Sequence, residues 1–513
     1  MKTPALGQQF KTLLLWSAGL LLAIFLGWKT GSENYRLLIL FAVIAIGLSI
    51  WFFTGRFFWV LTIASSFLGG TFPLLGGSFT PFQILMMIGV VKFVIEDVIL
   101  KRRSRMSVGR FDLLMIGGFM GVLTLHALHH RFGMRFLGSS IWGGRNYVSV
   151  YVGLAAFFVV QSIPMNPKVW AKLPYAVLAV TTFDLFISLI TTIFPSSIYK
   201  IYPFYSAVST LGIEELLQGQ TTDVTGRLGS FGNFGFILVT IVLASMPLRQ
   251  ILNPGRFLRF ICLIGGLVAV LFSGFRSAVI ETVIGFLAAG IRDLKYAAVA
   301  LLPLFAVLLL SLSVVNSQFF HLPKQIQRGL AFLPGKWDVD MALNAEASND
   351  FRRRVWSLWM TDYFPVHPWL GRGFGFRSEW AKQSVINPMA IDYQQTVEVG
   401  NIHNGLFAAV DAFGIVGTIF FVVWNLRILA RTFRVSFRRN DGAGMALRFL
   451  ALYLAVWIIS YWVGALNVGL FLPQEFALVG VFLRLQDMAA SDFVQSEHAG
   501  KVQQDVHEEL APV

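Results

Sequence analysis

Three residues of this sequence combine a reactive side chain with a position at the end of an apolar segment. His403 directly precedes the apolar run 405–426 and ends the long polar stretch 316–403. A histidine exchanges protons near neutral pH, so at the mouth of a membrane helix it could serve as a general base. Arg276 lies in a short turn between two apolar runs and Arg227 lies just before another. A guanidinium binds phosphate oxygens two at a time.

Two arginines and a histidine at one membrane surface suit a lipid pyrophosphate that is attacked by a hydroxyl acceptor. The arginines would stabilise the charge that develops on the leaving pyrophosphate, and His403 would remove the proton of the acceptor hydroxyl. Glu398 is a candidate to orient the imidazole, whereas Asp411 lies too far round the helix for more than indirect support. Taken singly, each arginine is better explained as an interfacial residue whose charged head reaches water.

The composition requires a membrane-embedded scaffold around these residues. The chain has 513 residues, of which 56% are hydrophobic and 13% are charged. An average soluble protein has about 25% charged residues. Apolar runs long enough to cross a hydrocarbon core of roughly 30 Å recur along the chain, and we predict an all-α polytopic membrane protein with about 14 transmembrane helices and one large periplasmic loop containing short helices. The predicted spans are 12–28, 37–53, 57–75, 82–100, 111–127, 147–162, 173–194, 231–248, 257–273, 277–291, 296–315, 405–426, 447–466 and 470–487.

Basic residues fix the predicted orientation, since lysine and arginine collect in cytoplasmic loops. Placing the basic blocks 101–110 and 427–439 in the cytoplasm puts both termini there and the stretch 316–403 outside. The predicted organisation is transmembrane helices 1–11 over residues 1–315, the large periplasmic loop over 316–403, transmembrane helices 12–14 over 404–487 and a disordered cytoplasmic tail over 488–513.

Charge and cysteine content narrow the class of protein. A net charge of +14 would favour nucleic acid as the partner of a soluble protein, but here the topological signal of cytoplasmic loops accounts for most of it. We therefore expect the lipid bilayer, and no nucleic acid, as a partner. The single cysteine, Cys262, lies inside an apolar run and permits neither a disulfide within the chain nor a cysteine-based metal site.

The stretch 316–403 is rich in basic residues although it is predicted to lie outside the cytoplasm. This indicates an anionic ligand, although long loops also cross the membrane regardless of their charge. Helical spacing of aromatic and basic residues predicts an amphipathic surface helix over 348–363. Gly371, Gly373 and Gly375 then break the pattern, and we interpret them as turn residues that let the backbone approach a ligand.

Four local motifs follow one another in the second half of the chain. They are an Arg-Leu-Gly…Asn segment (227–233), a Ser-Gly-Phe-Arg-Ser turn (273–277), a loop with arginines before a tryptophan and the run Pro-Trp-Leu-Gly-Arg-Gly-Phe-Gly (368–375), and a His-Asn pair (403–404) that opens a helix with Gly-Ile-Val-Gly (414–417). In this order they resemble the bacterial O-antigen ligase and polymerase family of integral membrane glycosyltransferases. The resemblance covers about residues 220–430, while the first half is similar to the family only in hydropathy.

The resemblance implies roles for individual residues. His403 would be the catalytic residue, and Arg227 and Arg276 would bind the substrate. Further candidates are, for substrate binding, Arg353, Arg354 and Arg372 and, for support of His403, Asn404 and Glu398. Because the family acts without a metal, no metal site and no cofactor are expected. The implied donor is an undecaprenyl-pyrophosphate-linked glycan, and the acceptor is a second glycan or lipid A-core.

These motifs do not separate the members of the family. The leading prediction is a polymerase that joins lipid-linked repeat units into O-antigen or exopolysaccharide, and the alternative is a ligase that transfers finished polymer to lipid A-core. A glycan flippase is a further alternative, although transporters often show paired repeats and this chain has one large loop late in its sequence. The expected location is the bacterial inner membrane, with the active site facing the periplasm.

Overall fold

The computed structural model describes residues 17, 35–74, 77–99, 108–129, 141–201, 205, 228–251, 253–377, 393–435, 442–463 and 473–490. These residues form mainly apolar helices. The helices are α1 (Tyr35–Thr54), α2 (Phe58–Ala64), α3 (Pro81–Phe93), α4 (Arg110–His129), α5 (Gly144–Ser162), α6 (Pro167–Trp170), α7 (Leu173–Ile193), α8 (Ile198–Ile201), α9 (Gly229–Ser245), α10 (Leu248–Ile251), α11 (Phe257–Phe272), α12 (Arg276–Leu294), α13 (Leu301–Gln318), α14 (Lys324–Leu330), α15 (Val339–Leu358), α16 (Tyr393–Glu398), α17 (Gly405–Thr432), α18 (Gly442–Val463) and α19 (473–490). Two antiparallel strand pairs join β1 (Phe72–Leu74) to β2 (Gly77–Phe79) and β3 (Ile141–Trp142) to β4 (Phe376–Arg377).

The apolar helices make this a multi-pass helical membrane protein, as predicted. Within the described residues, five segments are long and apolar enough to cross a membrane by length and composition: Arg110–His129, Pro167–Ile193, Arg276–Gln318, Gly405–Thr432 and Gly444–Trp462. Shorter apolar helices accompany them, among them α9 and α11. The first predicted span, 12–28, lies almost wholly outside the described residues.

The predicted span 57–75 is too long. Helix α2 and the 3-10 turn that follows it end at Phe67, and the chain then turns into β1. The helix cannot continue because the next amides bind other elements. Gly69 donates to Asp184 at 2.7 Å and Gly70 donates to the Tyr205 hydroxyl at 3.1 Å. The buried acid Asp184 is thus a polar contact between elements.

The large loop forms a helix where one was predicted, but the predicted start at residue 348 is wrong. Helix α15 begins at Val339, where the Asp338 side chain caps it by accepting from the Asp340 amide at 3.0 Å, and a π-helical turn over Trp359–Tyr363 ends it. The first turns contain small and polar residues without an apolar period, so the pattern gave no signal there. A small core then fixes α15 on α17, in which the Trp359 ring stacks on Phe407 at 4.8 Å.

Helix α17 is interrupted at Gly414, where φ is 63° and ψ is −178°. In an unbroken helix, the carbonyls of Asp411 and Ala412 would accept from the amides four residues later. Here the loop segment 368–373 inserts and satisfies both halves of the break. The four bonds run from the Arg372 amide to the Asp411 carbonyl (2.7 Å), from Gly373 to Ala412 (3.1 Å), from Ile415 to Pro368 (2.9 Å) and from Val416 to Trp369 (3.1 Å). Irregular backbone inside a membrane helix is tolerated where protein supplies such partners.

Two glycines make this insertion possible because the backbones touch. A methyl group on Gly414 would lie 2.2 Å from the Trp369 carbonyl oxygen, and one on Gly371 would lie 2.4 Å from the Gly414 amide nitrogen. Gly371 also has a positive φ of 78°. The backbone that Gly371 approaches is therefore that of α17, where the sequence had suggested a ligand. The insertion anchors the large loop beside the start of α17, where His403 lies.

Candidate active site

His403 occupies a strained backbone position directly before α17. Its φ of 56° lies in the left-handed region, which costs a non-glycine residue roughly 1 kcal/mol or more. Asn404 caps the helix by accepting from the Phe407 amide at 3.2 Å, so it supports His403 by fixing where the helix begins. On the other side, the Trp356 indole donates to the Ile402 carbonyl at 2.9 Å. Strain that is held in place from both sides is typical of functional positions.

The imidazole of His403 lies against the loop helix α15. Its ring centroid is 5.9 Å from that of Phe351, with the two planes at 85°. His403 is half-buried. The ring is thus oriented by packing and remains accessible where α15 meets the start of α17.

Arg276 contacts the same helix from another direction. It is the first residue of α12, after a turn in which Gly274 has a φ of 70°. Its guanidinium donates to the Asn349 side chain at 3.1 Å and to the Ala345 carbonyl at 3.0 Å. Helix α15 therefore links Arg276 to His403, two residues that the sequence placed at one membrane face.

Arg227 lies outside the described residues, but its neighbour Leu228 does not. The Leu228 amide donates to the Ser273 carbonyl at 3.1 Å. Ser273 belongs to the turn that precedes Arg276. The chain that leads from Arg227 is thus attached to the turn that presents Arg276.

Arg352 is a candidate that the sequence reasoning missed. On α15 it lies about 4.5 Å along the axis from Asn349 and about 6 Å from Trp356, and these residues share a helix face. Arg352 is half-buried, burial lowers the pKa of its guanidinium, and it makes no hydrogen bond or ion pair with any residue that the structure describes. A half-buried cation without an acid is stabilised by an anionic ligand. The helical spacing of Arg352 with Trp356 predicts the surface helix, but it did not lead to Arg352 as a site residue.

Arg353 and Arg354 each have another partner among the described residues. The Arg353 side chain is 70% exposed and pairs with Asp350 at 2.6 Å. Arg354 donates to the Tyr393 hydroxyl at 3.1 Å. Substrate binding by these two arginines stays a prediction, and Arg352, on the face of α15 that includes Asn349, is a further candidate.

Arg372 joins the large loop to α17 through its side chain. Its guanidinium binds both carboxylate oxygens of Asp411, at 2.8 and 2.6 Å, and lies 3.5 Å from Glu398. Burial lowers the pKa of Arg372, but Asp411 and Glu398 outweigh it, so the pKa is raised and the charge is secured. The Trp359 indole also donates to Asp411, at 2.9 Å. Asp411 lies within an apolar run, which indicates that it has a polar partner, but the sequence did not identify Arg372 as that partner.

Glu398 joins this cluster. It accepts from the Tyr363 hydroxyl at 3.2 Å in addition to its contact with Arg372. Burial and the Glu398 charge raise the pKa of Tyr363 to about 12, so the hydroxyl stays protonated and donating. Glu398 therefore holds α16 against the loop. Its predicted role in orienting His403 stays a prediction.

Two adjoining cavities open beside these residues. The large cavity, of about 580 Å³, lies between α5, α9, α17 and the end of the large loop, and Asn401 and Asp411 are in its wall. The small cavity, of about 210 Å³, is lined by Ser277 and Glu281, which follow Arg276 on α12. The two share Asn233 and Tyr453 as common walls. A substrate with two chemically different parts could place one part in the large cavity and the other in the small cavity.

The sequence of this region is similar to a known protein family. Residues 260–422 match a family model described as O-Antigen ligase. The predicted resemblance is confirmed. This O-antigen ligase segment contains Arg276, Arg352, the large loop, His403 and the break at Gly414, whereas Arg227 precedes it. A search of curated proteins found no match to the chain.

Proposed function

We propose that the protein is a membrane glycosyltransferase that polymerises undecaprenyl-pyrophosphate-linked repeat units into O-antigen or exopolysaccharide. The observation that supports this proposal is that Arg276 and His403 both contact one helix, α15, which also carries Arg352, within the O-antigen ligase segment. Two arginines suit a pyrophosphate leaving group, and a histidine suits a hydroxyl acceptor. Together they would serve the donor and the acceptor of a glycosyl transfer.

In the proposed reaction, the acceptor hydroxyl attacks the anomeric carbon of the donor sugar. The bond between that carbon and the pyrophosphate oxygen breaks, and the pyrophosphate leaves with the electron pair. Arg276 and Arg352, with Arg227 as a further candidate, would stabilise the charge on the leaving group. His403 would take the acceptor proton as the new bond forms and release it to water afterwards.

The charges at the two ends of α17 support a site on the periplasmic side. His403 precedes the first residue of this helix, whereas Arg427 and Arg431 near its other end approach the buried Asp112 at 3.3 and 3.7 Å. Basic residues of this kind mark the cytoplasmic face. The proposed active site therefore faces the periplasm across the inner membrane, with about 14 crossings in all.

The experiment that tests the mechanism replaces His403 by alanine and uses His321→Ala as the matched control. His321 lies exposed in the same loop. Loss of a positioned general base should lower turnover of a lipid-linked repeat unit by about 100- to 10,000-fold, with donor binding little changed. In the wild type, the rate should fall as pH drops below about 6.5, where an ordinary histidine becomes protonated. A folded His403→Ala protein with near-normal turnover would reject the role.

A ligase is the second candidate, because the matching family model carries that description. Deleting the gene and examining the glycans of the cell separates the two. Single lipid-linked repeats accumulate if a polymerase is lost, whereas long lipid-linked polymer accumulates if a ligase is lost. Repeats left facing the cytoplasm would instead identify a flippase and reject both.

A further inference from the structure

The large cavity contains an arginine that the proposed transfer step does not use. Arg145 lies in the first turn of α5 and in the cavity wall. It is exposed to the cavity and makes no hydrogen bond or ion pair with the residues that the structure describes. An unpaired guanidinium in a concave wall presents a planar set of donors that matches a carboxylate or a phosphate.

Docking of the large loop fixes the position of Arg145. Strand β3, just before it, pairs with β4 of the large loop. Gly143 has a φ of 121° and packs so closely on the loop that a methyl group would lie 1.7 Å from the Phe374 carbonyl oxygen. The Phe374 amide also donates to the Tyr147 hydroxyl at 3.1 Å. Arg145 is therefore held at the cavity by the element that also carries the proposed active site.

Other groups in the wall suit the hydroxyls of a sugar. The side-chain amides of Asn146 and Asn401 make no hydrogen bond with described residues, and each offers both donors and an acceptor. Asn401 lies two residues before His403, so the cavity adjoins the proposed site. A volume of about 580 Å³ falls within the roughly 300–1,000 Å³ of pockets that hold small ligands.

The described acids of the cavity wall do not form an ion pair with Arg145. Glu398 and Asp411 also line the large cavity. Both carboxylates are bound by Arg372, whose fork holds Asp411 through two hydrogen bonds. Arg145 is thus the wall cation whose charge no described carboxylate balances.

The proposed function assigns the pyrophosphate of the donor to Arg276 and not to the large cavity. Neither Arg276 nor Arg352 is among the described residues that line the large cavity, and the small cavity lies on the side of α12, which Arg276 begins. If the pyrophosphate lies at Arg276, as the proposed function requires, the large cavity is left for the sugar part of a substrate.

We propose that the large cavity is a saccharide subsite in which Arg145 selects glycans that carry a carboxylate on a sugar ring. The guanidinium binds the carboxylate, and Asn146 and Asn401 bind ring hydroxyls. The subsite rests on the proposed function for its purpose, but its occupancy can be measured without turnover.

The test measures binding to the full chain purified into lipid nanodiscs. Three probes are titrated calorimetrically: cellobiouronate, in which glucuronate is linked to glucose, its neutral counterpart cellobiose, and inorganic pyrophosphate. The wild type should bind cellobiouronate on the order of tenfold more tightly than cellobiose, the value of one charge-assisted pair. Arg145→Gln should remove that preference and leave cellobiose and pyrophosphate binding unchanged. Arg434→Gln, which removes an exposed arginine near the end of α17, should change none of the three.

Two results overturn the proposal. One is a wild type that binds the two disaccharides equally. The other is an Arg145→Gln protein that keeps the preference but binds pyrophosphate more weakly, which would assign Arg145 to the lipid pyrophosphate. An Arg145→Lys variant guards against misfolding, since it keeps the charge and should keep part of the preference. A protein inactive in glycosyl transfer would still give these binding results, so the two proposals fail separately.

Discussion

Arg372 of the large loop and Asp411 of α17 are joined by three hydrogen bonds. Two connect their side chains, at 2.8 and 2.6 Å, and the third runs from the Arg372 amide to the Asp411 carbonyl at 2.7 Å. The Arg372 side chain is 15% exposed and that of Asp411 is 6% exposed. This residue pair thus contributes one of the four backbone bonds at the break and joins the loop to α17 through its side chains.

Breaking this pair should destabilise the protein more than it weakens substrate binding. Arg372→Gln or Asp411→Asn leaves one charge buried without its partner, which typically costs about 3–5 kcal/mol. The double variant Arg372→Met with Asp411→Leu should recover part of that loss, because neither charge of the pair is then left alone, although Glu398 still loses its contact with Arg372. Thermal unfolding in detergent, compared across the four proteins, measures this. An Arg372→Gln protein of normal stability that binds donor poorly would instead place Arg372 in the donor site.

The insertion at the helix break should not tolerate a side chain. Gly414→Ala forces a methyl group against the Trp369 carbonyl at a positive φ, and we expect a loss of more than about 1 kcal/mol. Gly121→Ala in α4 is the matched control, since nothing lies within 4 Å of a methyl group there. It should be neutral or slightly stabilising, because alanine favours a helix over glycine. Equal stability of the two variants would mean that the loop is not inserted at Gly414.

The neighbouring arginines 352 and 353 should differ in their effect on catalysis. Arg352→Gln removes a half-buried cation that has no partner among the described residues, and we expect kcat/KM to fall about 10- to 100-fold. Arg353→Gln removes an exposed side chain paired with Asp350, worth less than about fivefold. Steady-state kinetics over a range of donor concentrations compares them. A larger loss for Arg353→Gln would restore the sequence-based choice and remove Arg352 from the site.

The predicted topology can be tested with single cysteines in a Cys262→Ala background. Ala347→Cys lies at an exposed position of α15, and Arg434→Cys lies at an exposed position after α17. A membrane-impermeant thiol reagent added to spheroplasts should label the cysteine at 347 and should reach the one at 434 only after lysis. Equal labelling of both positions before lysis would contradict a periplasmic loop.

The sequence by itself determined the membrane class and much of the helix pattern. A helix that crosses lipid must satisfy its backbone within its own segment, so apolar length is a local signal. Helices α4, α7 and α17 accordingly follow the predicted spans closely. The sequence also singled out His403 and Arg276, because a polar group at the end of an apolar run is visible without any tertiary contact.

The tertiary structure decided which arginines form ion pairs with described acids and which do not. The sequence could not distinguish Arg352, Arg353 and Arg372, because charge alone does not say where an acid will lie. Arg372 meets Asp411 across 39 positions of sequence, and only because α17 opens at Gly414. Arg352 has no described partner, and α15 turns it to the face of Asn349, which Arg276 contacts. The candidates for the site therefore depend on long-range ion pairs and on which face of α15 each arginine occupies. A local sequence pattern encodes neither.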